Sequence, residues 1–279
     1  MDLPAPGRAM SASPDRTTIA AVLADVARIG PWFAVGLLPA GAAVPSPGRS
    51  ARAGAGGTGP RRWDELHAPP GAGADPLSAR IDQVAAALRT DRRVAASIAV
   101  QGMAARLVSM PFAAVALHGV LPSLGDLHRD PGADDPWAPA LPAEPVAVVT
   151  PDARTDPHGA AGLLARELAG THLEPLYAAV GARVSVSERV LRGNVVSAIA
   201  GAARVMDTAR PEDRPAFLAL LDALVGHPGL AGPLPDGATG RLSRPAGDAG
   251  WTFHRRSCCL YVRVPGGGTC GDCVLAGRG

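Results

Sequence analysis

The chain has 279 residues and a mass of 28.2 kDa, room for one large domain or two small ones; 47% of it is hydrophobic but only 4% aromatic. Alanine is a large part of that apolar share, so tight helix packing with few large anchors is expected. All 27 basic residues are arginine and, against 25 acidic ones, leave a net charge of +2. That excludes a Walker A lysine, a Schiff-base lysine and a kinase strand lysine, and provides no concentrated positive footprint for a nucleic acid.

Met1 to Met10 lacks a basic region followed by a continuous apolar stretch. No signal peptide is expected, and the chain reads as cytoplasmic or peripheral to the inner face of the membrane. The longest charge-free runs, Ile29 to Gly48 and Leu107 to Gly125, are broken by proline and glycine or diluted by alanine, so no transmembrane segment is predicted. Thirty-four glycines and 28 prolines imply long loops without reaching a low-complexity composition.

A first helix is predicted from Asp15, with Thr17 and Thr18 able to cap it and Ile19, Val22, Leu23, Val26 and Ile29 on one face before Gly30-Pro31 ends it. Trp32 to Leu38, bounded by prolines, reads as a buried strand, and Ala40 to Pro60 as a loop. Leu77, Ile81, Val84 and Leu88 line a second helix. After Thr90-Asp91 a third runs from Arg92 to about Ser109, with Pro111 starting or kinking the next segment, and the two helices should form a hairpin. Pro122 to Pro145 reads as an irregular connection and Val146 to Val149 as a strand. Three further helices are expected at Gly159 to Val180, Ser187 to Met206 and Glu212 to Val225. Gly226 to Gly250 reads as a loop, Trp251 to Val264 as a strand pair or one bent strand, and Pro265 to Gly268 as a turn.

Several motifs lack the context their chemistry needs. Gly54 to Gly59 matches a dinucleotide fingerprint, but no strand delivers it and no helix receives it. His128-Arg129-Asp130 copies a kinase triplet without its asparagine or any lysine. The seven histidines include no pair flanking a glutamate at zinc-protease spacing, and the acidic pairs Asp64-Glu65 and Asp134-Asp135 read as solvated or dipole-favoured residues.

All four cysteines lie near the C-terminus: Cys258, Cys259, Cys270 and Cys273, a Cys-Cys-x10-Cys-x2-Cys arrangement. Two disulfides are disfavoured by a cytosolic setting and by the strained ring that adjacent cysteines would make. Four thiolates suit either a structural zinc or an iron-sulfur cluster. Only Cys270 to Cys273 forms a normal zinc knuckle, and adjacent cysteines are awkward on one small ion, so the spacing favours a cluster. An oxidised 2Fe-2S centre with four thiolates carries about −2 charge and one electron makes it about −3, so Arg255, Arg256 and Arg263 beside it would stabilise the reduced form.

The run from Arg255 to Cys273 closely resembles the C-terminal segment of the FhuF-like ferric-siderophore reductases. Val186 to Ala198, with its Gly193-Asn194 pair, is similar to a helix of that family, and Ile98 to Ser109 resembles an earlier one. The resemblance implies a cytoplasmic protein whose 2Fe-2S cluster, held by Cys258, Cys259, Cys270 and Cys273, passes one electron to iron in an imported ferric siderophore. It further implies an electron donor of the ferredoxin- or NAD(P)H-linked reductase class. Arg192 departs from the aromatic expected before Gly193-Asn194, which bears on substrate choice if that side chain forms the substrate face. Asn194 would order the cluster segment, line a groove or simply bond a loop, and Gly193 would allow close packing.

The fold class expected is α+β and predominantly α-helical: a helical domain with a few short strands and a small C-terminal strand-turn segment for the cluster. The organisation expected is a disordered N-terminus at 1–14, a helical and short-strand region at 15–150, a helical region at 151–245 and the cluster-binding segment at 246–279. Competing readings are an electron carrier or redox sensor without its own substrate, and a zinc-stapled helical binding module.

Overall fold

The computed structural model describes residues 16–42, 59–71, 74–232, 239–244 and 250–275. The expected disordered stretch 1–14 and residues 54–58 of the glycine run lie outside them.

Local sequence signals start the helices. Asp75 accepts the Ser78 N–H at the head of α2 (Pro76–Leu88), Asp91 accepts from Arg93 and Val94 at the head of α3 (Arg92–His118), and Asp156 accepts from Gly159 at the head of α4 (Pro157–Leu168). Each cap satisfies an orphan helix donor and contributes about 1 kcal/mol, and Pro76 and Pro157 follow where a missing N–H costs nothing. In α1 (Arg16–Ala27) the apolar face is as predicted, with Ile19, Val22, Leu23 and Val26 all buried, and Thr17 and Thr18 lie in its first turn.

Helix α3 is the centre of the molecule. It packs against α1, α2 and α7 (Arg214–Val225), and most extensively against α6 (Glu188–Ala209). Alanines at 95, 96, 99 and 104 are buried on it, which lets neighbouring helices approach closely. By length and composition α3 could cross a membrane, yet 72% of its apolar window is buried inside this fold. The helix does not stop near Ser109: Pro111 is accommodated within it and the run continues to His118, because Met110, Phe112, Ala113, Ala114 and Val115 are all buried. That burial outweighs one lost hydrogen bond.

Other expectations are corrected by packing. The Gly159 to Val180 helix is interrupted by a π turn at Ala169–Leu173, which leads into α5 (Glu174–Gly181). Pro175 has no N–H to give the carbonyl four residues back, and the turn places both His172 and Leu173 inside. The strand expected over Trp32 to Leu38 is only β1 (Gly36–Leu37); Trp32 and Leu37 face solvent, with the Arg106 guanidinium 4.6 Å above the Trp32 ring. The connection from Pro122 to Pro145 is less irregular than its composition suggests. It holds β4 (His128–Arg129) and β5 (Pro139–Leu141), which join β1 and β2 (Arg61–Arg62) in a sheet of order β1-β5-β4-β2, parallel only between β1 and β5. Separately, β3 (Val120–Pro122) pairs antiparallel with β6 (Ala147–Val149). Strands of two or three residues are too short to leave an alternation in the sequence.

Near the C-terminus, the Gly226 to Gly250 stretch contains α8 (Pro228–Ala231) and β7 (Gly240–Ser243). Strand β7 pairs antiparallel with β8 (Thr252–Arg255), where Phe253 points inward and Thr252 and His254 outward. Of the strand expected over Trp251 to Val264, only β8 forms; Tyr261–Arg263 is a 3-10 turn, because the chain after Arg255 wraps round its own cysteines. The molecule is thus a predominantly helical α+β fold with a cysteine loop laid across α3 and α6.

Candidate iron-sulfur site

The cysteines sit in two turns. Cys258 and Cys259 follow β8, and Cys270 to Cys273 forms a tight turn closed by the Cys273 N–H on the Cys270 carbonyl at 3.1 Å. All four are free thiols; Cys259 and Cys273 are buried, and Cys258 and Cys270 half-buried. The first turn is pinned by its own apolar residues: Leu260 and Val264 pack with Val94 of α3 in a small cluster separate from the main core. Holding the Leu260 side chain there puts its backbone in the left-handed region at φ 69°, a strained conformation for a branched residue. Gly267 is needed between the two turns, since a Cβ there would lie 2.8 Å from the Tyr261 carbonyl oxygen.

Backbone donors surround the sulfurs. The Leu260 N–H reaches Cys258 Sγ at 3.3 Å and the Leu275 N–H reaches Cys273 Sγ at 3.3 Å. Cys259 Sγ and Cys270 Sγ share a hydrogen bond across 3.5 Å. That contact, with the Tyr261 N–H and the Arg255 charge assisting, pulls the Cys259 thiol down to about 6 and pushes Cys270 up. Cys259 is therefore ready to act as a thiolate, the form that binds metal.

Behind the sulfurs lies a buried polar frame supplied by α3 and α6. Arg255 is 2% exposed. Its Nε donates to the Ser257 carbonyl at 3.0 Å, and its Nη2 to Asn194 Oδ1 at 2.6 Å and to the Val190 carbonyl at 3.4 Å. Asn194 Nδ2 donates to the Ser97 carbonyl at 2.7 Å and to Ser97 Oγ at 3.0 Å, while Ser97 Oγ donates to the Cys259 carbonyl at 2.8 Å. Gly193 makes room for this: a Cβ on it would stand 2.4 Å from Ser257 Oγ and 3.1 Å from Arg255 Nη2. On the other turn, Asp272 accepts from Ser197 and Arg204 of α6, and its carbonyl accepts the Arg255 N–H at 3.0 Å.

The Cys259–Cys270 pair and the buried Arg255 fit a negatively charged, thiolate-held group. Two thiolates about 2.3 Å from one tetrahedral metal stand about 3.8 Å apart, close to the 3.5 Å between Cys259 and Cys270. Arg255 Nη1 is buried without a hydrogen-bond partner among the described residues. Burial pulls the pKa of this guanidinium below its ordinary value, and Cys259 and Cys270, followed by Asp272 and Cys258, oppose that pull. Among the described residues no group of three histidine, cysteine or carboxylate side chains is assembled as a metal site; the direct meeting is between Cys259 and Cys270.

Several of the remaining candidates have structural partners, whereas the ring nitrogens of His128 and Nε2 of His67 are buried without a hydrogen-bond partner among the described residues. Asp64 pairs with Arg62 and Asp135 with Arg106. His118 meets Asp25 at 3.0 Å, His172 Nε2 meets the Leu124 carbonyl at 2.8 Å, and His227 Nδ1 accepts from Gly229. Arg192 is buried, paired with Glu174 and Glu188 and stacked 4.9 Å from the Tyr177 ring. It lines a cavity of about 610 Å³ with Gly162, Arg166, Gly170, Glu174 and His227. Ser97, Ser197, Arg204 and Asp272 were not singled out by sequence. Ser97 carried the one usable signal, a lone hydroxyl inside the apolar run Val94 to Val100.

A cysteine-rich loop with a buried cationic frame, mounted on a helical scaffold, is a setting suited to a metal centre held by thiolates. Residues 255–275 match the family model described as the FhuF 2Fe-2S C-terminal domain, and the cofactor this match indicates is a 2Fe-2S cluster. No curated protein and no solved structure matches the chain.

Proposed function

We propose that the protein is a reductase that passes one electron from a 2Fe-2S cluster, held by Cys258, Cys259, Cys270 and Cys273, to ferric iron in an imported siderophore. The observation that carries this reading is the Cys-Cys-x10-Cys-x2-Cys segment inside the matched residues 255–275. When bound, the cluster supplies a one-electron store whose potential answers to charge, hydrogen bonds and exposure around it.

The chain's own residues hold and present that store. Cys259 and Cys270 are spaced to share one metal, and the Leu260 and Leu275 N–H groups steady the sulfurs of Cys258 and Cys273. The more exposed thiols, Cys258 and Cys270, mark the side at which a chelate approaches, and Tyr261 and Val262 give it an apolar rim. The chelate brings the ferric ion; one electron makes it ferrous, and hard oxygen donors hold ferrous iron far less tightly. No bond in the chelate need break, so neither a nucleophile nor a proton shuttle is required. The electron is restored by a ferredoxin- or NAD(P)H-linked donor, and the reading is of a cytoplasmic protein, in a compartment where thiols stay reduced.

The test is metal and acid-labile sulfide analysis of anaerobically purified protein, followed by electron paramagnetic resonance after dithionite. About two iron and two sulfide per chain with a reduced-cluster signal, and reoxidation by ferric siderophores with ferrous iron trapped by a chelator, are expected. One zinc without sulfide overturns the cluster reading, and a cluster that no ferric siderophore reoxidises overturns the substrate. Cys270→Ser should abolish the cluster and the reduction together while circular dichroism shows the helical domain intact.

A further inference from the structure

We propose that Arg255 donates a hydrogen bond from Nη1 to the iron-sulfur cluster, and that Asn194 of α6 is the positioning residue that aims it. The inference rests on the cluster reading above but is independent of the substrate.

The rest of the guanidinium is already engaged: Nε is taken by the Ser257 carbonyl, and Nη2 by Asn194 Oδ1 and the Val190 carbonyl. Nη1 is buried and has no partner among the described residues. A buried cationic donor left unpaired is costly, so a fold that retains one has an acceptor for it. The groups acting electrostatically on this guanidinium are Cys259, Cys270, Asp272 and Cys258. Of these, Asp272 is already occupied by Ser197 and Arg204, which leaves the sulfur side. Arg256 and Arg263, the other two arginines flanking the cysteines, are exposed and act through solvent.

The orientation of Asn194 is determined by its partners. Its Nδ2 faces two oxygens of Ser97, so Oδ1 must face Arg255; the flipped amide would set an NH₂ against the guanidinium. Ser97 in turn holds the Cys259 carbonyl. The chain therefore closes a loop, Arg255 to Asn194 to Ser97 to Cys259, in which a ligand residue and the cation beside it are referred to the same point on α3 and α6. A fixed buried cation stabilises the reduced cluster more than the oxidised one, since reduction adds a negative charge.

Redox titrations followed by electron paramagnetic resonance on the loaded full-length protein test this. In Arg255→Gln the ratio of reduced to oxidised protein at a fixed poise should fall about tenfold, which is about 59 mV for one electron. Asn194→Ala should lower it in the same direction, and Arg255→Lys should restore part of it. Because Asn194 acts through Arg255, adding Asn194→Ala to Arg255→Gln should produce no further shift. An unchanged potential in Arg255→Gln, or additive shifts in the double variant, overturns the proposal. Wild-type protein carrying ¹⁵N-arginine provides a readout that does not depend on any variant folding: the reduced cluster should show a ¹⁵N hyperfine coupling. A cluster without that coupling overturns the Arg255 contact alone, whereas absence of any cluster overturns the reading of the site itself.

Discussion

Asp272 accepts a hydrogen bond from Ser197 across 2.5 Å, tying the middle of the Cys270 to Cys273 turn to the middle of α6. Arg204, one end of the same clamp, lies 5.5 Å from the Trp251 ring, and Trp251 donates to Asp207 further along the helix. The second cysteine turn is thus fixed to the helix by polar contacts where the first is fixed mainly by Leu260 and Val264. Asp272→Ala should cost about 1.5–3 kcal/mol, the value of a hydrogen bond to a charged group. The Arg204 share is small because that side chain is 41% exposed. Urea unfolding should report the loss, iron content should fall with it, and Asp272→Asn should recover part of both.

Gly193 is the point of closest approach between α6 and the cysteine segment. A methyl group there meets Ser257 Oγ at 2.4 Å, so either the serine or the whole loop must move. Gly193→Ala would gain helix propensity, but overpacking at a buried contact costs about 1–3 kcal/mol and wins. The expected outcome is a lower melting temperature together with reduced cluster loading, and restoration of both by the compensating change Ser257→Gly.

Arg192 stands next to Gly193 but serves a different part of the protein. Its guanidinium joins Glu174 of α5 to Glu188 of α6 against the Tyr177 ring. Both glutamates are about half exposed, so breaking the pair leaves solvated carboxylates, and Arg192→Met should cost about 2 kcal/mol, below the range for fully buried pairs. Cluster content and reduction potential should be unchanged. A change in potential would show that this residue belongs to the site.

The buried imidazoles predict acid sensitivity. Burial, with the neighbouring His172, pulls His67 down to about 4 from an ordinary 6.5. The unfolded chain takes up this proton near pH 6.5 and the folded chain only near 4, so the contribution is complete above about 6.5 and is lost as pH falls towards 4. The loss amounts to about 3 kcal/mol over that window. Urea midpoints measured from pH 7.5 to 4.5 should fall steeply in the wild type, and His67→Gln should flatten the slope.

Much of the helical framework was legible because its signals are local. Asp-Pro heads, apolar positions at helix spacing and the burial of Leu77, Ile81 and Val84 follow from neighbours within a few residues. The features that escaped were decided by contacts distant in sequence. Pro111 remains inside α3 because Phe112 to Val115 are buried on other elements, and β4 and β5 exist only because β1 and β2 lie beside them.

The same division runs through the site. By itself the sequence narrowed the site to a four-thiolate metal centre and favoured a cluster over zinc, because the four thiols and their spacing lie in one contiguous stretch. Only the tertiary structure decided what surrounds them. Ser97 lies 162 positions from the Cys259 carbonyl it holds, and Asn194 lies 61 positions from Arg255. Whether a serine or an asparagine is a solvated surface group or a buried strut depends on the desolvation imposed by packed neighbours, and that environment forms only when α3, α6 and the cysteine loop meet.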